Sequence, residues 1–182
     1  AGRSYFDKSN KKWYELWCPR NPSMFTSQKI AVPEITNKGN FTLIKEPIFV
    51  NTKVKVIIPK KDIAEKIEYI LGLLNSSLLV YLYKSIAPPK SGGFYAVKTR
   101  IVGRLPIRRI DFSDPNDVAN HNKMVSLVEK ILELHKHLAS TMTEHEKTML
   151  SRQIQATEDQ IDSLVYELYE LTEEEIRIVD AI

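Results

Sequence analysis

The sequence contains a single cysteine, Cys18, and no long uninterrupted apolar run. One thiol can neither form an intrachain disulfide nor build a cysteine-rich zinc site, so we expect a reducing, cytoplasmic setting. The most apolar segment, Tyr69 to Tyr83, is shorter than the roughly 20 residues that a membrane-spanning helix requires, and Asn75-Ser76-Ser77 interrupts it. We therefore interpret this segment as part of a protein core and expect no membrane partner.

Patterns typical of catalytic and nucleotide-binding sites are also missing. No Gly-x-Ser-x-Gly elbow occurs, and the glycines of Lys90-Ser91-Gly92-Gly93 follow the lysine, whereas a Walker loop has them before it. His135 and His137 lie two residues apart, which places them on different faces of a helix, and nothing nearby completes a metal site. We predict no catalytic residue, no metal and no cofactor, and a cryptic nuclease is only a weak alternative.

The charges, by contrast, are abundant and strongly segregated. Residues 1–112 contain 20 Lys and Arg against 8 Asp and Glu, a net charge of +12, whereas residues 113–182 contain 6 against 15, a net charge of −9. Five of the twelve residues from Lys98 to Arg109 are basic, and this stretch lies at the boundary. Such asymmetry predicts a first half that faces an anion, most often nucleic acid, and a second half that docks on a partner or is simply solvated.

The basic half is predicted to combine short strands with two apolar helices. Asp62 and Glu65 resemble a capping box that begins the first helix, Ser76 offers an N-cap for the second, and Ala87-Pro88-Pro89 ends it. Pro33 cannot donate to a ladder, so it favours an edge strand or a strand end. Residues 1–112 are therefore predicted to form an α+β domain with a mixed or antiparallel sheet, whose strands are Trp13–Cys18, Lys29–Ile35, Phe41–Ile44, Ile48–Val50 and Val54–Ile58.

The acidic half is predicted to form a long antiparallel helical hairpin over residues 113–182. Asp114-Pro115 supplies an N-cap and a first-turn proline, and Thr143 with Glu146 marks the start of a second helix. A further capping box, Thr172 with Glu175, predicts a short terminal helix. The apolar residues of the two long helices recur at heptad spacing, in the series Met124, Leu127, Ile131, Leu134, Leu138 and the series Leu150, Ile154, Thr157, Ile161, Leu164, Leu168, Leu171.

Several short motifs, taken in order, resemble the TaqI-like C-terminal specificity domain of restriction-modification methyltransferases, which is related in layout to type I specificity subunits. They are Trp13-Tyr14-Glu15, Lys29 to Ile35, Leu71 to Ser76, Gly92 to Tyr95, Leu105-Pro106-Ile107 and Ile161 to Tyr169. The family often has glycine where this chain has Glu170, so Thr172 is expected to break the helix instead. The methyltransferase motif Asn-Pro-Pro-Tyr and its glycine-rich cofactor loop do not occur, which implies that methyl transfer belongs to another domain or subunit. The abrupt start Ala1-Gly2-Arg3, without a signal-peptide pattern, likewise suggests a fragment of a longer protein.

The resemblance implies double-stranded DNA and a methyltransferase catalytic domain or subunit as partners. The hairpin would dock on the catalytic part, and self-association through the same seam is the rival expectation. A protein- or RNA-interaction module with a basic face is the alternative function. The residues expected to contact DNA are Lys29, Lys53, Lys55, Lys90, Ser91, Gly92, Gly93, Tyr95, Lys98, Arg100 and Arg104.

Overall fold

The structure, a computed structural model, describes Lys12 and residues 21–60 and 62–181, so the predicted strand Trp13–Cys18 lies outside the described residues. In chain order the strands and helices are α1 (Ser23–Thr26), β1 (Lys29–Pro33), β2 (Ile35–Thr36), β3 (Thr42–Ile44), β4 (Val54–Ile57), α2 (Ile67–Asn75), α3 (Ser77–Ile86), β5 (Pro89–Lys90), β6 (Phe94–Ala96), α4 (Thr99–Val102), α5 (Pro115–Ser140), α6 (Glu144–Leu168) and α7 (Glu173–Asp180). The predicted α+β class is confirmed.

The strands form two small antiparallel sheets. In the first, β1 lies between β3 and β4, and Ile30 pairs with Leu43 on one side and Ile57 on the other. Pro33 is the last residue of β1, so of the two predicted alternatives, an edge strand or a strand end, the structure has the strand end, and β1 itself is central. The strand predicted as one run to Ile35 breaks after Pro33, and β2 joins β6 and β5 in the second sheet.

The predicted strand Ile48–Val50 does not form. These residues belong to the connection between β3 and β4, which lie on opposite sides of β1. Ile44, at the end of β3, pairs with Lys29, whereas Val54, at the start of β4, pairs with Pro33. The connection must therefore pass from one end of β1 to the other, and residues that cross a sheet in this way cannot pair alongside a strand.

Helix α2 begins later than the sequence suggests. Its N-cap is Lys66, without a side-chain cap, so the predicted Asp62–Glu65 capping box is wrong. The Glu65 carboxylate is buried and accepts hydrogen bonds from Arg109 and the Ile110 backbone instead. The backbone N–H of Lys66 donates to Nε2 of His121, at 3.1 Å. The predicted N-cap of α3 is confirmed, because the Ser76 hydroxyl accepts from the Leu79 backbone N–H.

The predicted helical hairpin is confirmed. Helices α5 and α6, of 26 and 25 residues, are joined by Thr141 to Thr143 and pack on each other. Asp114 caps α5 by accepting from the Asn116 backbone N–H at 2.9 Å, and Pro115 is the first helical residue, as predicted. The buried face of α5 is wider than the heptad series, since Val125 and Val128 join Met124 in the core.

The end of α6 corrects one expectation. Glu170 adopts a left-handed φ of 54°, and the backbone N–H of Leu171 donates to the Tyr166 carbonyl at 3.0 Å. A left-handed residue with this six-to-one bond is the Schellman helix end that glycine usually makes. The helix therefore stops at Leu168 without glycine, and Thr172 acts as the N-cap of α7, with the predicted capping box present.

One apolar core joins the two halves of the chain. Its buried residues include Ile30 and Leu79 from the basic half and Met124, Leu164 and Val165 from the acidic half. Helix α2 packs on α5, and α3 packs on both α6 and α7. The division into two domains at residue 112 stays a prediction, and the shared core positions the exposed basic residues described next.

Candidate nucleic-acid interface

Two lysines of β4 and its preceding turn meet at Glu34. Nζ of Lys53 lies 3.1 Å from Oε2 of Glu34, and Nζ of Lys55 lies 3.5 Å from Oε1 of the same carboxylate. The hydrogen bond and charge of Lys53, followed by the charge of Lys55, hold the pKa of Glu34 below its ordinary value. The Glu34 carbonyl also accepts from the Val97 backbone N–H at 2.7 Å, so both lysines lie close to the segment that begins at Lys98.

Helix α4 extends this basic surface. Lys55 lines a cleft of about 350 Å³ together with Thr99 and Val102 of α4 and with Gly103, the residue that follows the helix. The backbone N–H of Lys98 donates to the Tyr83 hydroxyl at 3.2 Å, which anchors the start of the helix. Three basic residues in or next to α4 are exposed to solvent, namely Lys98, Arg100 and Arg104. We name the five basic residues gathered here the cationic cluster: Lys53, Lys55, Lys98, Arg100 and Arg104.

A tight β-hairpin lies beside the cationic cluster. Strands β5 and β6 pair through Lys90 and Phe94, and a single 3-10 turn, Ser91–Gly93, joins them. Gly92 and Gly93 both have a φ of 76°, a left-handed conformation that explains why the turn uses two glycines. The turn is exposed, whereas Tyr95 is half-buried and pairs with Thr36 of β2. Strand β6 then leads directly to Lys98.

Lys29 occupies a different environment from the other predicted DNA contacts. Its side chain is buried, with a relative exposure of 1% for the residue, and Nζ donates to the carbonyls of Phe25 at 2.7 Å and Ser27 at 3.2 Å. Its ammonium group is therefore held inside the fold, away from any surface that a duplex could reach. The sequence of β1 did not indicate this, because the direction in which a strand lysine points depends on the elements packed against the strand.

Two of the five basic residues between Lys98 and Arg109 make internal contacts. The Arg108 guanidinium binds both carboxylate oxygens of Asp117, at 3.0 and 3.2 Å, and its Nε donates to the Leu168 carbonyl at 3.0 Å. Nε of Arg109 lies 2.6 Å from Oε1 of Glu65. Arg108 thus connects the two ends of the helical hairpin to the basic half, and Arg109 pairs within the basic half itself.

The comparison with known families bears directly on this surface. Residues 2–107 match the family model described as the TaqI-like C-terminal specificity domain. The chain belongs to this family. It is therefore a DNA target-recognition domain of the restriction-modification methyltransferase type, and the alternative of a general protein- or RNA-interaction module is not favoured.

Relatives of this specificity domain are bacterial type II enzymes. The chain is 32% identical over 128 residues to the type II methyltransferase M.HindII of Haemophilus influenzae, covering 66% of the chain and 24% of that protein. It is 28% identical over 125 residues to the type II methyltransferase M.BanIII of Aneurinibacillus aneurinilyticus, covering 68% and 20%. It is 24% identical over 148 residues to the type II restriction enzyme and methyltransferase RM.Eco57I of Escherichia coli, covering 79% and 15%. The chain thus spans about a quarter or less of the length of these relatives.

Two further observations apply to the residues of the specificity domain that the structure describes. Within them, no group of three or more His, Cys, Asp or Glu side chains is arranged to hold a metal ion. No single helix in the same residues is both long and apolar enough to cross a membrane, and only α2 and α3 taken together, bent by 62°, have the length and composition.

Sequence reasoning missed one exposed feature near the cationic cluster. Ile48 and Phe49, assigned to a strand from their composition, are large apolar side chains at the surface, with exposures of 44% and 72%. Pro47 before them and Asn51-Thr52 after them were signals that this run belongs to a loop. The loop ends at Lys53, a member of the cationic cluster.

Proposed function

We propose that this specificity domain reads a short duplex sequence on behalf of a DNA methyltransferase and takes no part in methyl transfer itself. The observation that carries the proposal is the cationic cluster, in which two lysines pair with Glu34 and three exposed basic residues lie in or next to α4, the helix whose cleft Lys55 also lines. Basic side chains on one surface neutralise successive phosphates, and the adjoining turn can approach base edges. Family membership supports the same conclusion.

Within this proposal the contacts divide by chemistry. The cationic cluster and Lys90 bind phosphates, which fixes the register of the domain on the duplex but carries no sequence information. Ser91, Gly92 and Gly93 enter a groove, where the absence of large side chains allows the backbone to come close to the bases. Tyr95 lies in β6 and supports the turn, and the turn residues enter the groove ahead of it. Lys29 is left out, because its ammonium group is bound to two carbonyls inside the fold.

A salt titration of duplex binding tests the phosphate contacts. The double variant Arg100→Ala/Arg104→Ala should bind a labelled duplex more weakly and reduce the slope of log affinity against log salt by about 2, since each phosphate contact contributes about 1. The matched control is Arg152→Ala/Arg177→Ala, which removes two exposed arginines from the hairpin and α7 and should leave the slope unchanged. Absence of duplex binding by the unmodified chain at low salt would contradict the proposal.

Specificity requires a separate experiment in an intact methyltransferase. In one relative, the segment that aligns with residues 1–112 of this chain is replaced by those residues, and the methylated motifs of the host genome are mapped before and after. A changed motif supports the assignment of target reading to the basic half. An unchanged motif would remove that assignment, even if the chain binds DNA.

We also propose that the helical hairpin spaces the reading half from the catalytic part and docks on it. Residues 113–182 carry a net charge of −9, which disfavours direct contact with DNA, and the hairpin extends beyond the core that its base shares with α2 and α3. Sedimentation velocity over a concentration series separates this proposal from its rival. A monomer that shifts only on addition of the methyltransferase part supports docking, whereas a concentration-dependent dimer of the chain alone supports self-association.

A further inference from the structure

The loop that joins β3 to β4, residues 45–53, carries an apolar pair at the surface. Phe49 has a relative exposure of 72% and Ile48 of 44%. Residues 45–49 and 51–53 are all exposed, and Val50 is half-buried. Exposed apolar residues are common when scattered singly, but two large adjacent ones on a loop form a contiguous apolar surface.

The Phe49 ring is held in place by an aromatic neighbour. It stacks on Phe25 with the ring centroids 4.6 Å apart and the ring planes inclined by 23°. Phe25 belongs to α1, and its carbonyl accepts from the buried Nζ of Lys29, so the supporting ring is tied to the sheet. The large exposed fraction of Phe49 shows that most of the ring remains free for contact. An oriented aromatic ring with an open face is suited to stacking on another planar group.

The surroundings of this pair indicate which planar group. The loop begins at Lys45 and ends at Lys53, whose side chains are 58% and 78% exposed, and Glu46 is its single acidic residue. Lys53 follows Phe49 by four residues, so their Cα atoms are at most about 14 Å apart. That reach spans the minor groove, about 6 Å wide, which is the groove from which apolar side chains enter between bases. Phe49 and the cationic cluster can therefore contact bases and phosphates of the same duplex site.

We propose that Phe49, supported by Ile48, stacks on bases at the duplex site and partly unstacks a base step there. This inference rests on the proposed function, since it names an additional contact of the same surface with the same DNA. Apolar side chains flanked by cations are the means by which several DNA-binding proteins open a base step. A base-stacking aromatic contributes affinity without neutralising a phosphate, which separates its effect from that of the cationic cluster.

The test uses the 182-residue chain and a short duplex enriched from a random library by that chain, with 2-aminopurine replacing adenine at successive positions. The Phe49→Ala variant should bind about tenfold more weakly with an unchanged salt slope. Fluorescence of 2-aminopurine should rise at one step in the wild-type complex and not in the Phe49→Ala complex. Phe49→Trp should retain both properties, and Met142→Ala, which shortens a side chain that is 90% exposed at the hairpin connection, is the matched control.

Each outcome bears on the proposal. Because Phe49 is mostly exposed, urea unfolding of Phe49→Ala should match the wild type, which confirms that the variant is folded. Wild-type affinity and fluorescence in Phe49→Ala would overturn the inference while leaving the proposed function intact. No duplex binding by the wild type would overturn both. Loss of binding to phosphatidylserine vesicles in Phe49→Ala, with duplex binding unchanged, would assign the loop to a membrane surface and overturn the inference.

Discussion

At the residue scale, Glu65 is the buried carboxylate that joins the start of α2 to the segment leading into α5. Its Oε1 accepts from Nε of Arg109 at 2.6 Å and from the Ile110 backbone N–H at 3.1 Å. Burial alone raises the pKa of this carboxyl, but the hydrogen bonds from Ile110 and Arg109 outweigh burial, and its pKa lies below the ordinary 4.5. The ionised form is thus the one that the fold stabilises.

This direction sets a pH dependence of stability. Because the folded pKa of Glu65 is lower than the unfolded one, its contribution is fully present above pH 4.5 and is lost as pH falls through the folded pKa. Glu65→Gln should lower the free energy of unfolding by about 1–2 kcal/mol near neutral pH and flatten its decline in acid. Urea unfolding on both sides of pH 4.5 measures both effects, and an unchanged acid slope would contradict the assignment.

Asp162 provides a comparison of the opposite sign. It accepts from the backbone N–H and the hydroxyl of Ser77, at 2.8 and 2.6 Å, which links α6 to the start of α3. Burial raises its pKa above the ordinary 3.8 in spite of these bonds. Its contribution is therefore present below pH 3.8 and lost as pH rises through the folded pKa. In the same unfolding series, Asp162→Asn should abolish the decrease in the free energy of unfolding that this carboxyl causes as pH rises. Glu65→Gln, by contrast, should flatten a decrease that occurs as pH falls.

At the element scale, the way helices end and the way they meet depend on single positions. Helix α6 ends in a left-handed residue, Glu170, with a φ of 54°. Helices α2 and α5 approach each other at Gly72, where an added Cβ would lie 2.5 Å from Sδ of Met124 and 2.9 Å from Cγ2 of Val128. Neither geometry follows from heptad spacing, which reports only the face of a helix that is apolar.

Replacing Glu170 by glycine should stabilise the protein by about 0.5–1 kcal/mol. An L-residue in the left-handed conformation is strained, and glycine removes the strain, offset in part by its greater freedom in the unfolded chain. Denaturation with urea should show a higher midpoint and an unchanged slope. Glu170→Ala is the control, since alanine retains the Cβ and should bring no such gain. A destabilised Glu170→Gly protein would argue against the left-handed helix end.

Replacing Gly72 by alanine should destabilise the protein by about 1–3 kcal/mol, the range for overpacking a core. Met124 is fully buried and Val128 nearly so, which leaves the added methyl group no open space. Gly103→Ala is the matched control, because the nearest atom to a Cβ there is the Thr99 carbonyl oxygen at an ordinary 3.4 Å. Thermal unfolding should give Gly72→Ala a lower transition temperature than Gly103→Ala. Equal transition temperatures would mean that α2 and α5 are not so closely packed.

At the scale of the whole molecule, opposite charge and a shared core hold two dissimilar halves together. Arg108 binds Asp117 and the end of α6, His121 accepts from the start of α2, and Asp162 caps α3. These contacts lie at the base of the helical hairpin. By contrast, every residue from 129 to 153 is exposed or half-buried. Ile131 and Leu132 still pack against the edge of the core, and beyond them the packing of the two helices on each other supports the hairpin.

This difference predicts uneven protection against hydrogen exchange. Amides of residues 129–153 should exchange faster than those of residues 121–128 and 154–168, whose buried side chains belong to or adjoin the core. Mass spectrometry of peptides from these segments measures the contrast. Addition of the methyltransferase part should slow exchange in 129–153 if the hairpin docks there. Uniform protection of the free chain would mean that the hairpin is stabilised along its whole length.

Local patterns in the sequence determined the helical hairpin, its caps at Asp114 and Thr172, the N-cap at Ser76 and the segregation of charge. Helix caps and heptad patterns depend on residues that are close in the chain, so they can be predicted without knowledge of the fold. Only the tertiary structure decided that Lys29 is buried, that β1 is central, that Glu65 serves Arg109 instead of a helix cap, and that Phe49 lies at the surface. These outcomes depend on partners distant in sequence, because burial and pairing are settled by which elements meet.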